Sequence, residues 1–307
     1  MQKLMILALI GLAAQLVDGS LGMAYGATSA SLLLAYGVAP AVASASVHIA
    51  ELVTTAASGY SHWRFGNVDR SIVRGLIIPG AIGAFGGACF LSSLSGDVVK
   101  PYIAGFLFLL GVYVFVRFLF VKQNSVSQKT DPPKRRFLIP LGLVAGFADA
   151  TGGGGWGPLT TPTLLARKGA QPRKVVGSVD TSEFAIALAA TVGFLISLGW
   201  SQVSWSWVIA LMAGGVIAAP IAAWLVRIIP GPLLGVLVGG LIVITNAKTL
   251  IGNFDLVTPL GEGLVYTGLI VIWAVGITFI IWKLVKEKKV TLDGGEAVSM
   301  EQKPEER

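Results

Sequence analysis

Apolar residues gather in long runs separated by short polar breaks. The runs at 98–121, 175–199, 203–226, 232–252 and 264–285 each reach the roughly 20 residues that a helix needs to cross a hydrocarbon core of about 30 Å. The pattern predicts an all-α integral membrane protein. Between the runs little is left to fold in water: a linker at 122–136 (KQNSVSQKTDPPKRR) and a polar tail from 286 are too short and polar to build a catalytic domain. Composition agrees, since 54% of residues are hydrophobic and 13% charged, against about 25% charged in a typical soluble domain.

The formal net charge of +7 does not indicate a nucleic-acid partner, because the basic residues sit in short loops beside apolar runs, as they do in cytoplasmic loops of membrane proteins. Cys89 is the single cysteine and lies beside Gly86 and Gly87 in an apolar stretch, so neither an internal disulfide nor a thiol metal cluster is expected. The partner implied is the lipid bilayer.

A repeat runs through the chain. Residues 11–59 and 142–193 align from an opening Gly-Leu, pairing Asp18 with Asp149, Gly22 with Gly153, Tyr25 with Trp156 and Gly26 with Gly157. After one inserted residue in the second copy, Pro40 pairs with Pro172, Ser46 with Ser178, Val47 with Val179 and Glu51 with Glu183. The first residues resemble a signal peptide in having Lys3 before an apolar stretch, but they belong to this repeat and are expected to be retained.

Charge placement predicts orientation, since Lys and Arg accumulate on the cytoplasmic side. The linker with Lys134, Arg135 and Arg136, the loop RKGAQPRK at 167–174, the stretch 64–74 and the Lys-rich tail would all be inside. Their counterparts at 36–42 and 199–204 are uncharged. A loop basic in one copy and neutral in the other is the mark of two copies inserted in opposite orientation. Basic residues flank the segment 137–166 on both sides, so it should enter and return, with arms of roughly 12 to 15 residues, too short for a full crossing.

The expected architecture is therefore two inverted-topology repeats, each a short helix hairpin plus three spanning helices, with one extra C-terminal helix. Its boundaries are 1–121 for the first repeat, 122–136 for a cytoplasmic linker and 137–252 for the second repeat. A transmembrane helix at 258–285 and a cytoplasmic tail at 286–307 complete the chain.

The hairpin tips, VDGSLGMAYG at 17–26 and ADATGGGGWGPLTTPT at 148–163, break their helices with glycine and expose amides that the helix cannot satisfy. In a bilayer such backbone is tolerated only where protein buries it or it lines a cavity, and two broken segments at matching positions point to a transporter's central site. The following helix N-termini favour an anion. The candidate substrate-binding residues are Gly22, Gly26, Thr28 and Ser29 on one tip, and Gly153, Gly154, Gly155, Trp156, Gly157, Thr160 and Thr161 on the other; Ser31 and Thr163 offer further hydroxyls. Close helix packing is the competing reading of the glycines. No Gly-Lys-Ser/Thr follows the glycine run, which removes a phosphate-loop enzyme.

Glu51 and Glu183 lie several residues inside expected spans, where a charge costs at least about 2.5–3.5 kcal/mol. His48 and Asp180 each precede their Glu by three residues and share a helix face with it. These four are the candidate coupling residues, in a proton or ion relay or as protonated donors to unwound carbonyls. Asp18 and Asp149, beside the breaks, are expected to cap the helices that follow. No metal site or cofactor is expected. Lys248 should snorkel from the end of its span, and Trp200, Trp205 and Trp207 suit an interfacial belt.

The duplicated glycine motif, Gly19 to Gly26 in one copy and GGGGWGPLTTP at 152–162 in the other, each followed by Ser-Val-x-x-x-Glu, resembles the TauE/SafE sulfite exporter family. That resemblance implies a secondary transporter for sulfur-containing anions such as sulfite, organosulfonates, thiosulfate or sulfate. It would work in the cytoplasmic membrane by alternating access and be driven by an ion gradient, the chain having no ATP-binding motif. A channel or facilitator built from the same hairpins is the alternative. The first copy departs from the family's glycine-rich pattern, reading SLGMAYGAT, so a quasi-symmetric site is expected.

Overall fold

The computed structural model describes residues 2–301 except 22, 24, 121–132, 166, 168, 169, 226–230 and 255–257. Among the described residues the chain is helical throughout, with eleven α-helices and no strand. The first five are α1 (Gln2–Leu21), α2 (Tyr25–Ala35), α3 (Pro40–Arg64), α4 (Arg70–Ser92) and α5 (Gly96–Phe120). A matching set follows: α6 (Arg135–Gly152), α7 (Trp156–Leu165), α8 (Pro172–Leu198), α9 (Trp205–Leu225) and α10 (Gly231–Phe254), then α11 (Pro259–Glu301). The expected linker at 122–136 lies mostly outside the described residues.

Local sequence explains the boundaries. Pro40 and Pro172 each occupy the first turn of α3 and α8, where a missing N–H costs nothing and the fixed φ suits the helix. Asp69 caps α4 by accepting the Ser71 amide at 2.8 Å, the usual role of Asp before a helix. Five helices are long and apolar enough to cross a membrane: Arg70–Ser92, Gly96–Phe120, Arg173–Leu198, Gly235–Phe254 and Gly261–Lys286. At 25 residues α3 is long enough, but its Ser, Thr, His48 and Glu51 make it less apolar.

One expectation needs correction. The hairpin arms are unequal: α1 and α6 have 20 and 18 residues, α2 and α7 only 11 and 10. At about 1.5 Å per residue, the first arms nearly span the hydrocarbon while the second arms reach halfway, because helix formation starts at the basic residues and continues to the glycine break. The last helix runs on to Glu301, and its apolar span covers Gly261–Lys286.

Packing is interleaved between the two sets. α4 lies along α6 and α8, while α9 lies along α1 and α3; α5 pairs with α10, and α3 with α8. Glycine makes the closest of these contacts. A Cβ on Gly83 would collide with the Leu143 carbonyl, and one on Gly146 with that of Gly80, so small residues bring the backbones together as membrane helices require. Gly75 faces Leu138 and Gly87 faces Phe147, which makes α4 and α6 parallel. Gly177 against Asn67 and Gly193 against Phe85 make α8 parallel to them as well. By the same reasoning α5 and α10 are antiparallel, with Gly111 against Ile242 and Gly235 against Phe118.

Large apolar side chains cover the outside. Ile78, Ile82, Leu109, Tyr102, Ile196 and Ile272 are each at least 60% exposed. At roughly 25 cal/mol per Å² such a surface is unfavourable in water and suits lipid. Trp200 and Trp205 stack with centroids 4.5 Å apart at the α8–α9 turn, and Lys248 is exposed.

The α4–α6 contact generates a paired prediction. Gly83→Ala should lower stability by about 1–3 kcal/mol or more through overpacking against backbone. Gly86→Ala, whose Cβ would meet nothing within 4 Å, should be neutral or gain up to about 1 kcal/mol from helix propensity. Thermal unfolding of the two detergent-solubilised variants compares them directly, and equal losses would refute the packing argument.

Candidate functional site

The two breaks meet at the centre of the bundle. α6 ends at Gly153, whose φ of 72° is left-handed backbone that favours glycine. Its partner is the first turn of α2. A Cβ on Gly26 would stand 2.5 Å from the Gly153 carbonyl oxygen, 2.9 Å from the Gly154 Cα and 3.0 Å from Glu51 Oε1. A Cβ on Gly154 would collide with the Ala27 amide nitrogen. Only glycine allows this crossing of two main chains.

Asp149 holds the break together. Its backbone carbonyl accepts the Gly153 N–H at 2.7 Å, and its Oδ1 accepts the Gly155 and Trp156 amides at 2.7 and 2.9 Å. The positive N-terminus of α7, expected to face an anionic solute, is thus occupied by a carboxylate of the chain itself. Asp149 Oδ2 lies 3.1 Å from His48 Nε2, and His48 Nδ1 donates to the Ser44 carbonyl at 2.8 Å. Ser44 Oγ in turn donates to the Ala150 carbonyl at 2.6 Å. His48 therefore pairs across the bundle with Asp149 as well as sharing a helix face with Glu51.

The corresponding position in the first copy shows one such contact among the described residues. Asp18 Oδ1 accepts the Tyr25 amide at 3.5 Å. Gly22 lies outside the described residues. Asp180 Oδ1 accepts from Ser58 at 3.1 Å, and Asp180 Oδ2 is 4.0 Å from His62 Nε2. Glu51 Oε2, Asp180 Oδ2 and Glu183 Oε2 are buried without a hydrogen-bond partner among the described residues.

Asp18, His48, Glu51, Asp149, Asp180 and Glu183 are all at most 5% exposed, whereas none of the described Lys or Arg residues is buried. The core thus holds five buried carboxyl groups and one buried imidazole. Charges in such surroundings must be paired, protonated or bound to an ion.

The candidate hydroxyls divide into two groups. Ser31, Thr160 and Thr163 donate to carbonyls of their own helices at 2.5–2.6 Å, while Thr161 is buried. Thr28 Oγ1 and Ser29 Oγ are buried with no partner among the described residues. They stand on the α2 turn that packs against Gly153 and Gly154, with Ala30 Cβ 2.5 Å from where a Gly153 Cβ would be. Trp156 and Tyr25 are wedged into the core: Trp156 Nε1 donates to the Val179 carbonyl at 3.1 Å, and the Tyr25 hydroxyl to that of Leu211 at 3.4 Å. The sequence reading missed Asn246 of α10, which donates to Ser31 Oγ at 2.7 Å and leaves its side-chain Oδ1 buried without a partner among the described residues. A lone amide in an apolar run was the available signal.

Apolar crossing helices, broken twice around a buried polar centre, define a membrane transport protein. The chain belongs to the TauE/SafE family: the family model described as "Sulfite exporter TauE/SafE" matches residues 7–249. It is 63% identical over 284 residues to the probable membrane transporter protein YtnM of Bacillus subtilis (strain 168), covering 92% of this chain and 94% of that one. A second relative, the probable membrane transporter protein YdhB of the same organism, is 32% identical over 151 residues, 48% of this chain and 60% of that one. No solved structure matches the chain. Family and relatives alike are named as transporters and not as enzymes.

Asp149 should be the most sensitive position. Asp149→Ala strips two amides and one imidazole of their acceptor and should cost about 3–5 kcal/mol, as breaking buried pairs does. Asp18→Ala removes, among the described residues, one amide contact of 3.5 Å and should cost clearly less. Chemical unfolding in detergent measures both, and equal effects would contradict the bonding described.

Proposed function

We propose that the protein is a secondary transporter that moves a small sulfur-containing anion, such as sulfite, an organosulfonate, thiosulfate or sulfate, across the cytoplasmic membrane by alternating access. The observation carrying this reading is the meeting of the two broken segments beside unpartnered hydroxyls and a centre rich in carboxyl groups. An anion entering that centre is repelled unless protons or metal cations neutralise it. Requiring anion and neutralising cation together is what couples one flux to a gradient of the other.

Thr28 and Ser29 are the donors this reading assigns to the anion. Gly26 and Gly153 to Gly155 supply close backbone, Trp156, Thr160 and Thr161 are buried in the same segment, and Gly22 and Gly157 complete the candidate set. His48, Glu51, Asp180 and Glu183 carry the coupling charge, and Asp18 and Asp149 order the helix starts. The sulfur comes from the family's description and from no distance in this molecule.

An inverted repeat fits the packing. If the two copies point in opposite directions, equivalent helices that touch must run antiparallel, as α5 and α10 do. The same holds for α3 and α8, where His48 lies 6.0 Å from Phe194 and Ser58 bonds Asp180. The exchanged pairs α4–α6 and α9–α1 have the form that a two-fold relation requires. α4, α6 and α8 start with Arg70 and Arg74, Arg135 and Arg136, and Arg173 and Lys174 on one face, where Lys174 Nζ donates to the Gly66 and Val68 carbonyls at 2.7 and 3.1 Å. Basic residues concentrated there support a cytoplasmic assignment for that face, and with it for the C-terminus.

Proteoliposomes test the reading. At least one labelled anion among sulfite, sulfate, thiosulfate and sulfoacetate should accumulate against its gradient, and Thr28→Val with Ser29→Ala should raise KM about tenfold, equivalent to about 1.4 kcal/mol. Glu51→Gln should abolish concentrative uptake. Movement of none of these anions would exclude the assignment. Flux that only follows the substrate gradient, indifferent to proton and metal-ion gradients, would identify a channel instead.

A further inference from the structure

The two pairs of buried groups that the repeat relates to each other differ, and each joins one repeat to the other. In the sequence repeat His48 corresponds to Asp180, and Asp149 to Asp18. In the first pair the His48 imidazole stands against the Asp149 carboxylate at 3.1 Å. In the other, aspartate stands where the histidine would be. One carboxyl oxygen each from Asp18, Asp180 and Glu183 lies within 4.8 Å of the other two, and the three residues are 1%, 0% and 5% exposed.

Among the described residues no Lys or Arg and no hydrogen bond from a base neutralises this group. His62, the nearest base on α3, is 4.0 Å from Asp180 Oδ2, beyond hydrogen-bond length, and its Nδ1 is 3.4 Å from Asn67 Nδ2. Asp180 Oδ2 and Glu183 Oε2 have no hydrogen-bond partner among the described residues. A proton shared between carboxyls would draw their oxygens to hydrogen-bond distance, and these two oxygens take part in no such bond. Gln15 precedes Asp18 by three residues on α1, a spacing that puts both on one helix face. It is 1% exposed, and its Oε1 is likewise buried and unpartnered.

From this geometry we infer that Asp18, Asp180 and Glu183, with Gln15 alongside, form a binding site for a hard metal cation of the size of Na⁺ or Ca²⁺. Two metal–oxygen bonds of about 2.4 Å span up to about 4.8 Å, which is the limit within which the three oxygens lie. The donors are oxygens only, which selects against soft, nitrogen- or sulfur-seeking metals. The ion would fill the place of positive charge that His48 occupies in the equivalent pair with Asp149. The inference rests on the coupled-transport reading for its purpose, giving it a metal ion as the coupling species. Its binding chemistry stands apart from that reading.

The test uses the full chain in detergent, without any anionic substrate. Radioactive Na⁺ and radioactive Ca²⁺ are offered separately, in a choline background. Saturable binding of either, at about one ion per chain, is expected, and the arm that responds identifies the ion. Asp180→His should place an imidazole opposite Asp18, reproduce the His48–Asp149 pair and weaken binding at least about 100-fold. Its melting temperature should match that of wild type in choline, while wild type melts higher with the ion present. If Asp180→His does not fold, Glu183→Gln supplies the same comparison. Absence of saturable binding in both arms, or binding unchanged by these substitutions, overturns the site. Anion uptake without ion binding would sink this inference alone, whereas ion binding without movement of any sulfur anion would sink the transport reading alone.

Discussion

Everything at the centre of this protein depends on how one carboxylate satisfies a broken helix in surroundings without water. Asp149 accepts the amides left open at the start of α7 and ends on His48 of α3. In a bilayer each unsatisfied amide would cost several kcal/mol, so the break at Gly152–Gly155 is stable only with that acid beside it. The acid in turn needs His48. The glycines are then free to let the first turn of α2 lie directly on the main chain, which no side chain at 26 or 154 would permit. Bond, charge pair and close approach form one unit.

That unit also explains why a transporter named for anions can have an acidic interior. The negative charge does structural work first, at the starts of α2 and α7, and what remains unbalanced falls on Glu51, Asp180 and Glu183. Under the proposed coupled transport such a centre would discriminate by total charge, accepting a solute only in combination with whatever cancels the excess. Coupling of that kind would need no nucleotide and no moving part beyond the two sets of helices.

Much of this was legible in the chain. The apolar runs at 98–121, 175–199, 203–226 and 232–252 correspond to α5, α8, α9 and α10 within a few residues, because twenty apolar residues in a row have few alternatives. The duplicated Asp, Gly and Glu positions located the centre. The partners were not legible. The i, i+3 rule put Glu51 on the His48 face, but a residue 101 positions away supplies the carboxylate that bonds the imidazole, and helical periodicity carries no information about such a contact. Arm lengths were misjudged because basic residues were taken as lying outside the hairpin, whereas α6 begins at Arg135 itself. Gln15 and Asn246 were overlooked, since a single amide in an apolar run leaves no periodic trace.

The interleaved pairing of α1 with α9 and of α4 with α6 bears on biogenesis. α1 is synthesised roughly two hundred residues before the helix it packs against, a sequence separation that makes for slow assembly. Until α9 and α6 arrive, the glycine-lined faces of α1 and α4 have only lipid beside them, and the first half of the chain inserts as an incomplete body. The core closes late and all at once, so neither half is an autonomous folding domain, and the segment joining them must stay long enough to let the second set of helices dock between those already in place.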